Sequence, residues 1–564
     1  MKHTQDKNPP NSRGWTPFHM AAVLGHLKIC KLIIENIKDK NPQAENCPKN
    51  VMLSGTPLHF AAKKGHFDVC KLIIENIRDI SPSDKEGSTP LHFAAQNGRT
   101  SICELFAKKV GNVNPKNHGG VTPFHCAAEN GHLDICQILP DCNSVDNNGS
   151  TSLHLATIKG HFNICKLLLE NPNGLLTSER NSPKDCKGLT PLHLAAKAGF
   201  LRIYELINGK TSNNNPKDQS GRRPLHYASE NGHMDVCETI IQSIWSANPK
   251  DDDDITPLHL AAKNGFFNVC QLILNSKIRD VNPSNKSGRT PFHYYAQHGQ
   301  FELCQLMVQK GCNNPEDMYG EGPLHAAALN GHYEIYKLII KNNIDANPSN
   351  NAGQTPLHFA AENGHLNLFK FIIKSVTNKN PKGMNGDTPF HLAAKNGHLE
   401  VCRLIMDYVD DATPINDDIK TPFHYAAENG HLPMCQLLVE CTKYNSSQDK
   451  KGYTPLQLAV KNNHLQVGKL IIRNIPLTEK KHAKAIILDL SLNAVKDGNL
   501  RLCKLLIENV DNNYLVEENG KTILHHAVES GDEKICEVII NHSKDSNPAD
   551  KDGITPLHIG KSNF

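Results

Sequence analysis

Histidine, cysteine and carboxylate are the side chains here whose types and spacing could do chemistry. The chain of 564 residues carries 31 His, 18 Cys and a run of four acids, Asp251–Asp254. An imidazole beside a thiol can make a nucleophile, His and Cys at close spacing can hold zinc, and clustered carboxylates can hold calcium. The spacing argues against all three. His59, His92, His125, His154, His193, His226, His259, His293, His325, His358, His391 and His424 each follow a recurring reference position by three residues. Cys30, Cys70, Cys103, Cys136, Cys165, Cys237, Cys270, Cys304, Cys402, Cys435, Cys503 and Cys536 each follow it by fourteen. A catalytic centre is one exceptional constellation, and here each copy carries the same residues. Zinc needs paired ligands close together, whereas His391 and Cys402 fall on different elements. Tyr204, Tyr336, Phe369 and Gly468 occupy the cysteine slot elsewhere, so the slot is packing. Helices pack about 8–10 Å apart, too far for a disulfide, whose Cα atoms lie within about 7 Å. The cysteines are therefore read as reduced and buried. Four consecutive acids on an exposed turn do not wrap an ion and are read as solvated. No phosphate-binding glycine loop and no nucleophile elbow is present.

What positions these residues is a repeat. TPFHLAAKNGH at Thr388 returns as TPLHFAAKKGH at Thr56, TPLHFAAENGH at Thr355 and TPFHYAAENGH at Thr421. The reference positions are Thr16, Thr56, Thr89, Thr122, Thr151, Thr190, Arg223, Thr256, Thr290, Gly322, Thr355, Thr388, Thr421 and Thr454. A degenerate copy at Asp489 and further copies at Thr522 and Thr555 follow, and most steps are 33 residues, as in 421 − 388. Such a period means a solenoid. In the copy at Thr388 the Thr is suited to cap a helix, and Pro389 suits its first position. Gly397 can end it in the left-handed conformation. Val401, Cys402, Leu404 and Ile405 recur at helical spacing in a second helix opened by His398. Asn-Pro and Gly then mark a turn, as from Asn347-Pro348 to Gly353. Two such helices cannot bury their apolar faces alone; stacked on neighbours they share a continuous core.

TPLHxAAxxGH at this period resembles the ankyrin repeat family, over nearly the whole chain from about Ser12 to about Gly560. The resemblance implies an all-α, ankyrin-type solenoid with hairpin-like loops, no catalysis, no cofactor, and other proteins as partners. It also implies that the first row of histidines hydrogen-bonds neighbouring backbone. The expected organisation is an array over 1–475, a degenerate repeat over 476–521 and further repeats over 522–564, the last one incomplete. The step from Thr16 to Thr56 is 40 residues, with its insertion in Asn41–Ser54; that from Thr151 to Thr190 is 39, with Asn171–Ser182 inserted. That from Thr122 to Thr151 is 29, and Pro140 cuts a helix short there.

A formal net charge of +3 offers no basic field for a nucleic-acid backbone, and no apolar run reaches the roughly 20 residues of a membrane helix. A monomer in the cytoplasm, or the nucleus, is expected. In ankyrin-like proteins the residue before the reference Thr projects onto the concave face. The candidate protein-binding residues are accordingly Trp15, Val121, Leu189, Arg222, Ile255, Arg289, Gln354, Lys420, Tyr453 and Lys521, a mixture of interface character. The two positions after Ala-Ala, such as Glu428 and Asn429, are monotonous. The aromatic row Phe60, Phe93, Tyr227, Tyr294, Phe359 and Tyr425 is read as core. The expected function is a protein-interaction scaffold or adaptor. The alternative is the cytosolic repeat region of a larger channel, toxin or signalling protein, to which the end at Phe564 would fit.

Overall fold

The computed structural model describes all residues except 1–6, 12–13, 45–53, 141–143, 171–182, 277, 342–343, 443–446, 475–479, 511–514 and 563–564. The insertion Asn171–Ser182, most of Asn41–Ser54 with Cys47, and the side chains of Lys480, Lys481 and His482 lie outside the described residues. The described residues form 33 helices, with one isolated bridge, Val516 to Thr522, in place of strands. The chain divides into two compact bodies, Met1–Lys286 and Ser287–Phe564. Within each, most first helices pack against the first helices of adjacent repeats and against their own second helices.

The repeat at Thr388 shows why the elements form. Its first helix spans Pro389–Asn396 and its second Leu399–Met406. Gly397 between them has φ 76°, where a Cβ would be strained. Ala393 and Ala394 are fully buried, because only a small side chain lets neighbouring backbones approach. Phe390, Val401, Cys402 and Ile405 are at most 1% exposed, each large one stabilising the stack by roughly 2 kcal/mol. In the repeat at Thr122 the second helix is only Leu133–Ile138, since Pro140 cannot continue it.

The fingers are hairpin-like turns. At one tip the Asp84 N–H donates to Ser88 O at 2.9 Å and the Gly87 N–H to Asp84 O at 3.1 Å. The tips are tied in file: the His118 N–H donates to Glu86 O at 2.9 Å, and the Asn147 N–H to Gly119 O at 2.9 Å.

The departure at Asp489 takes a definite form. One helix of 17 residues, Lys480–Lys496, stands in place of a first helix of seven or eight. Ile487, Leu490, Ala494 and Val495 are its buried face.

Candidate interaction surface

A helix leaves its first backbone N–H groups without partners, and this repeat satisfies them with three side chains. Pro389 has no N–H. The Phe390 N–H donates to Asn380 Oδ1 at 3.3 Å, and the Thr388 N–H donates to His391 Nδ1 at 3.1 Å. The Thr388 hydroxyl lies 2.9 Å from the same nitrogen, and the Thr side chain also faces the His391 N–H. The expected threonine cap is thus half of a reciprocal box whose other half is the histidine. Because Nδ1 accepts, the ring proton sits on Nε2, which donates to Lys420 O of the following repeat at 3.0 Å.

The same pair of bonds recurs at His19, His59, His92, His154, His193 and His358. Burial pushes these imidazoles down: His59, His92, His193 and His358 to about 4, against backbone acceptors that pull the other way. They are neutral, bonded on both nitrogens and not poised to take a proton.

The second histidine row closes the other end. His398 Nε2 donates to Glu362 O at 2.9 Å and His431 Nε2 to Lys395 O at 2.8 Å, in each case a carbonyl late in the preceding repeat's first helix.

All sixteen described cysteines are outside disulfides. Desolvation raises the buried thiols, Cys30 and Cys165 to about 11 and Cys103, Cys237 and Cys435 to about 12, the reverse of an activated thiolate. Among the described residues no three His, Cys, Asp or Glu side chains are grouped to hold a metal. In the acidic run at 251–254, Asp252 and Asp253 are exposed, as the solvated reading expects, while Asp251 is not. Asp251 is buried against Arg222 (3.2 Å), Asp253 meets Lys286 (3.4 Å) and Asp254 meets Lys250 (3.2 Å).

The ten candidate residues are all half-buried. Their backbone is part of the frame: the carbonyls of Val121, Leu189, Arg222, Ile255 and Lys420 accept from the imidazoles of His92, His154, His193, His226 and His391 at 3.0–3.2 Å. The side chains are free to differ, but several are already occupied. Arg222 pairs with Glu230 at 3.3 Å, Lys420 with Glu428 at 2.6 Å, Lys521 with Glu529 at 3.4 Å and Arg289 with Asp317 at 3.4 Å. Trp15 packs on Phe60, ring centroids 4.7 Å apart, and Tyr453 lies under Lys461 Nζ at 4.4 Å.

Three features escaped sequence reading. Asn380 and its counterparts Asn114, Asn248, Asn314 and Asn347 cap the helix ten residues on; the fixed distance from Asn to the helix was the signal. The Asp or Asn five residues before the reference position orders the finger, as Asn416 Oδ1 accepting from Asp418 and Lys420 at 3.1 and 2.8 Å. The aromatic row is only partly core: Phe93, Tyr227, Phe359 and Tyr425 stand edge-on to His59, His193, His325 and His391 of the preceding repeat. The monotony after Ala-Ala also has a local cause, since Asn97, Asn231 and Asn429 donate to the carbonyls of Phe93, Tyr227 and Tyr425.

No helix among the described residues is long and apolar enough to cross a membrane. No curated protein matches the chain. The family model for ankyrin repeats, built of three copies, matches it continuously over 41–481 and again over 492–563, and the single ankyrin repeat model matches 13–46. The break at 482–491 falls within Lys480–Lys496, where the Thr-Pro and His of the repeat are lost. With the periodic His–Thr boxes, the paired helices and these matches, the chain belongs to the ankyrin repeat family, whose repeats are protein–protein interaction modules.

Proposed function

We propose that this chain is a non-enzymatic scaffold or adaptor that binds partner proteins along the face carrying Trp15, Val121, Leu189, Arg222, Ile255, Arg289, Gln354, Lys420, Tyr453 and Lys521. The supporting observation is a division of labour within each repeat. Among the described residues, the recurring imidazoles, threonines, asparagines and buried thiols are consumed by hydrogen bonds or burial inside the frame. The residue before the reference Thr serves the repeated frame through its backbone N–H and carbonyl, so its side chain varies from Ile to Arg within one fold. Scattered aromatic, aliphatic and guanidinium anchors are what protein interfaces favour. The protein works in the cytoplasm or nucleus, as a monomer, without nucleic acid or cofactor.

A photo-crosslinking residue placed at Ile255 or Tyr453 of the full chain tests the reading, with Lys374 on an exposed second-helix position as control. Defined protein adducts at the first two positions, lost on substituting the neighbouring Arg222→Ala or Lys461→Ala, are expected. Equal adducts at Lys374, or adducts indifferent to those substitutions, would place binding elsewhere.

A further inference from the structure

The finger tips offer a comparison the molecule makes with itself. In the body Met1–Lys286, the two residues at each tip are polar or small: Lys85-Glu86, His118-Gly119, Gln219-Ser220 and Asp252-Asp253 among them. The turns in the body Ser287–Phe564 are held by the same backbone bonds, as the Gly320 N–H to Asp317 O at 2.9 Å and the Gly386 N–H to Gly383 O at 2.9 Å. Most of these tips are polar or small too, such as Asn351-Ala352 and Lys450-Lys451, yet two of them carry Met318-Tyr319 and Met384, exposed by 59, 62 and 70%. Polar residues make the same turn, so the fold does not demand these side chains.

Ile419 points the same way more sharply. It occupies the tip position that is glycine in nearly every other finger, with φ 57° and its side chain 44% exposed. A β-branched residue in that region is a backbone outlier, and strain of this kind persists where function retains it. Met384 and Ile419 lie on adjacent rungs, and one rung with the polar and small tip Asn351-Ala352 separates them from Met318-Tyr319. The Asn351 N–H donates to Tyr319 O, the Met384 N–H to Ala352 O, and the Asp417 N–H to Asn385 O, at 2.9, 2.7 and 3.1 Å.

Charge selects the occupant. The finger ending the strip, residues 407–420, holds Asp407, Asp410, Asp411, Asp417 and Asp418 against one cation, Lys420, and Lys420 is committed to Glu428. Glu316 adds a further acid beside Met318. Lys450 and Lys451 border the strip on the next rung, so its potential is directional. Exposed methionines adapt to varied apolar partners, and although Lys379 and Lys382 precede Met384 on its finger, the carboxylates of the finger 407–420 outnumber its one cation and favour a cationic partner there.

We propose that the strip Met318, Tyr319, Met384 and Ile419, with Ile415 exposed by 48% beside it, docks a basic amphipathic segment of a partner protein, its apolar side chains on the tips and its Lys or Arg against Asp417, Asp418 and Glu316. The inference rests on the protein-binding reading and gives it a place and a partner chemistry.

The test uses the full chain and two labelled synthetic peptides of identical apolar pattern, one Lys/Leu and one Glu/Leu, followed by fluorescence anisotropy. The Lys/Leu peptide binds, and its affinity falls as NaCl rises from about 0.05 to about 0.5 M. Met318→Ser/Met384→Ser/Ile419→Gly weakens it about tenfold or more, as does Asp417→Asn/Asp418→Asn. Ile419→Gly alone weakens binding while raising the thermal midpoint, which a structural role for Ile419 would not do. Equal binding of both peptides, unchanged binding by the tip variants, or a lowered midpoint in Ile419→Gly overturns the proposal. No binding of the Lys/Leu peptide overturns it too, and leaves the protein-binding reading to its own crosslinking test.

Discussion

Acid should loosen this protein one repeat at a time, and glutamine should prevent it. Burial holds His19, His59, His92, His193, His226, His293, His358 and His424 near a pKa of about 4, against 6.5 when unfolded. Between those values the unfolded chain binds more protons than the folded one, so stability rises with pH. The contribution is fully present above about pH 6.5 and is lost as pH falls towards about 4. For one such histidine the loss at pH 5 is about 2 kcal/mol, comparable to a buried aliphatic side chain. Geometry gives the same sign: a proton on Nδ1 would face the Thr N–H that now donates to it. The chain supplies its own control at Gln457, where Oε1 accepts the Thr454 N–H at 2.8 Å without a titrating ring. His358→Gln keeps that half of the cap and loses the Nε2 bond to Asp387 O, 3.2 Å in the wild type, costing about 1 kcal/mol at pH 7. The variant is therefore less stable at pH 7 and more stable at low pH, the two curves crossing between about pH 6 and pH 5. Urea midpoints of both proteins across that range decide the matter. Parallel curves that never cross would refute the claim that these imidazoles are held neutral by the frame.

The remaining predictions are local. Asn380→Ala should cost about 1 kcal/mol in urea unfolding, because Asn380 Oδ1 caps Phe390; Asn215→Ala should cost far less, since Asn215 Oδ1 has no partner. Arg222→Ala should destabilise by about 1–2 kcal/mol by stripping its partner from buried Asp251, with Arg222→Lys retaining part of this, read by thermal melting. Maleimide should label exposed Cys186 and Cys441 rapidly in the native protein, while buried Cys70 and Cys402 react only on unfolding, as mass spectrometry of timed quenches would show.

The frame was legible because it repeats. One His three residues after one Thr is ambiguous; the same pair at His92, His193 and His391 leaves only a structural reading, and the boxes follow it. What stayed hidden are partnerships between repeats, where no local pattern names the second residue. Asn380 reads as a turn residue until Phe390 is seen above it, and Tyr425 reads as core until His391 and Lys420 are found on either side, the latter's Nζ 5.1 Å from the ring. For the candidate surface, the repeat shows which residues share the position before the reference Thr but not their state: nothing in the isolated letters Arg222 and Lys420 shows that each is already paired within its own repeat.

The same cross-links locate where the array is weakest. In most repeats an imidazole reaches from the first helix to the next repeat's backbone, and a second one reaches back. At Gln457 the ring is gone, and at the degenerate copy Leu492 stands where the imidazole belongs. On the returning side Asn499 and Asp532 replace histidine, their side chains turned to their own helices' N–H groups, Leu502 and Ile535. Stability in a repeat array is a sum of repeat terms and neighbour terms, so losing neighbour terms over successive repeats lowers the cost of opening there even where apolar burial is kept. The long helix Lys480–Lys496 keeps that burial, with Ile487, Leu490 and Val495 inside. It lacks the imidazole that elsewhere bonds the backbone of the repeat that follows. Amide exchange in Leu500–Asn509 should therefore outpace that in Leu399–Met406. Since this stretch also lacks the neutral imidazoles, its exchange should depend less on pH, after correction for intrinsic rates, than that of the repeats before it.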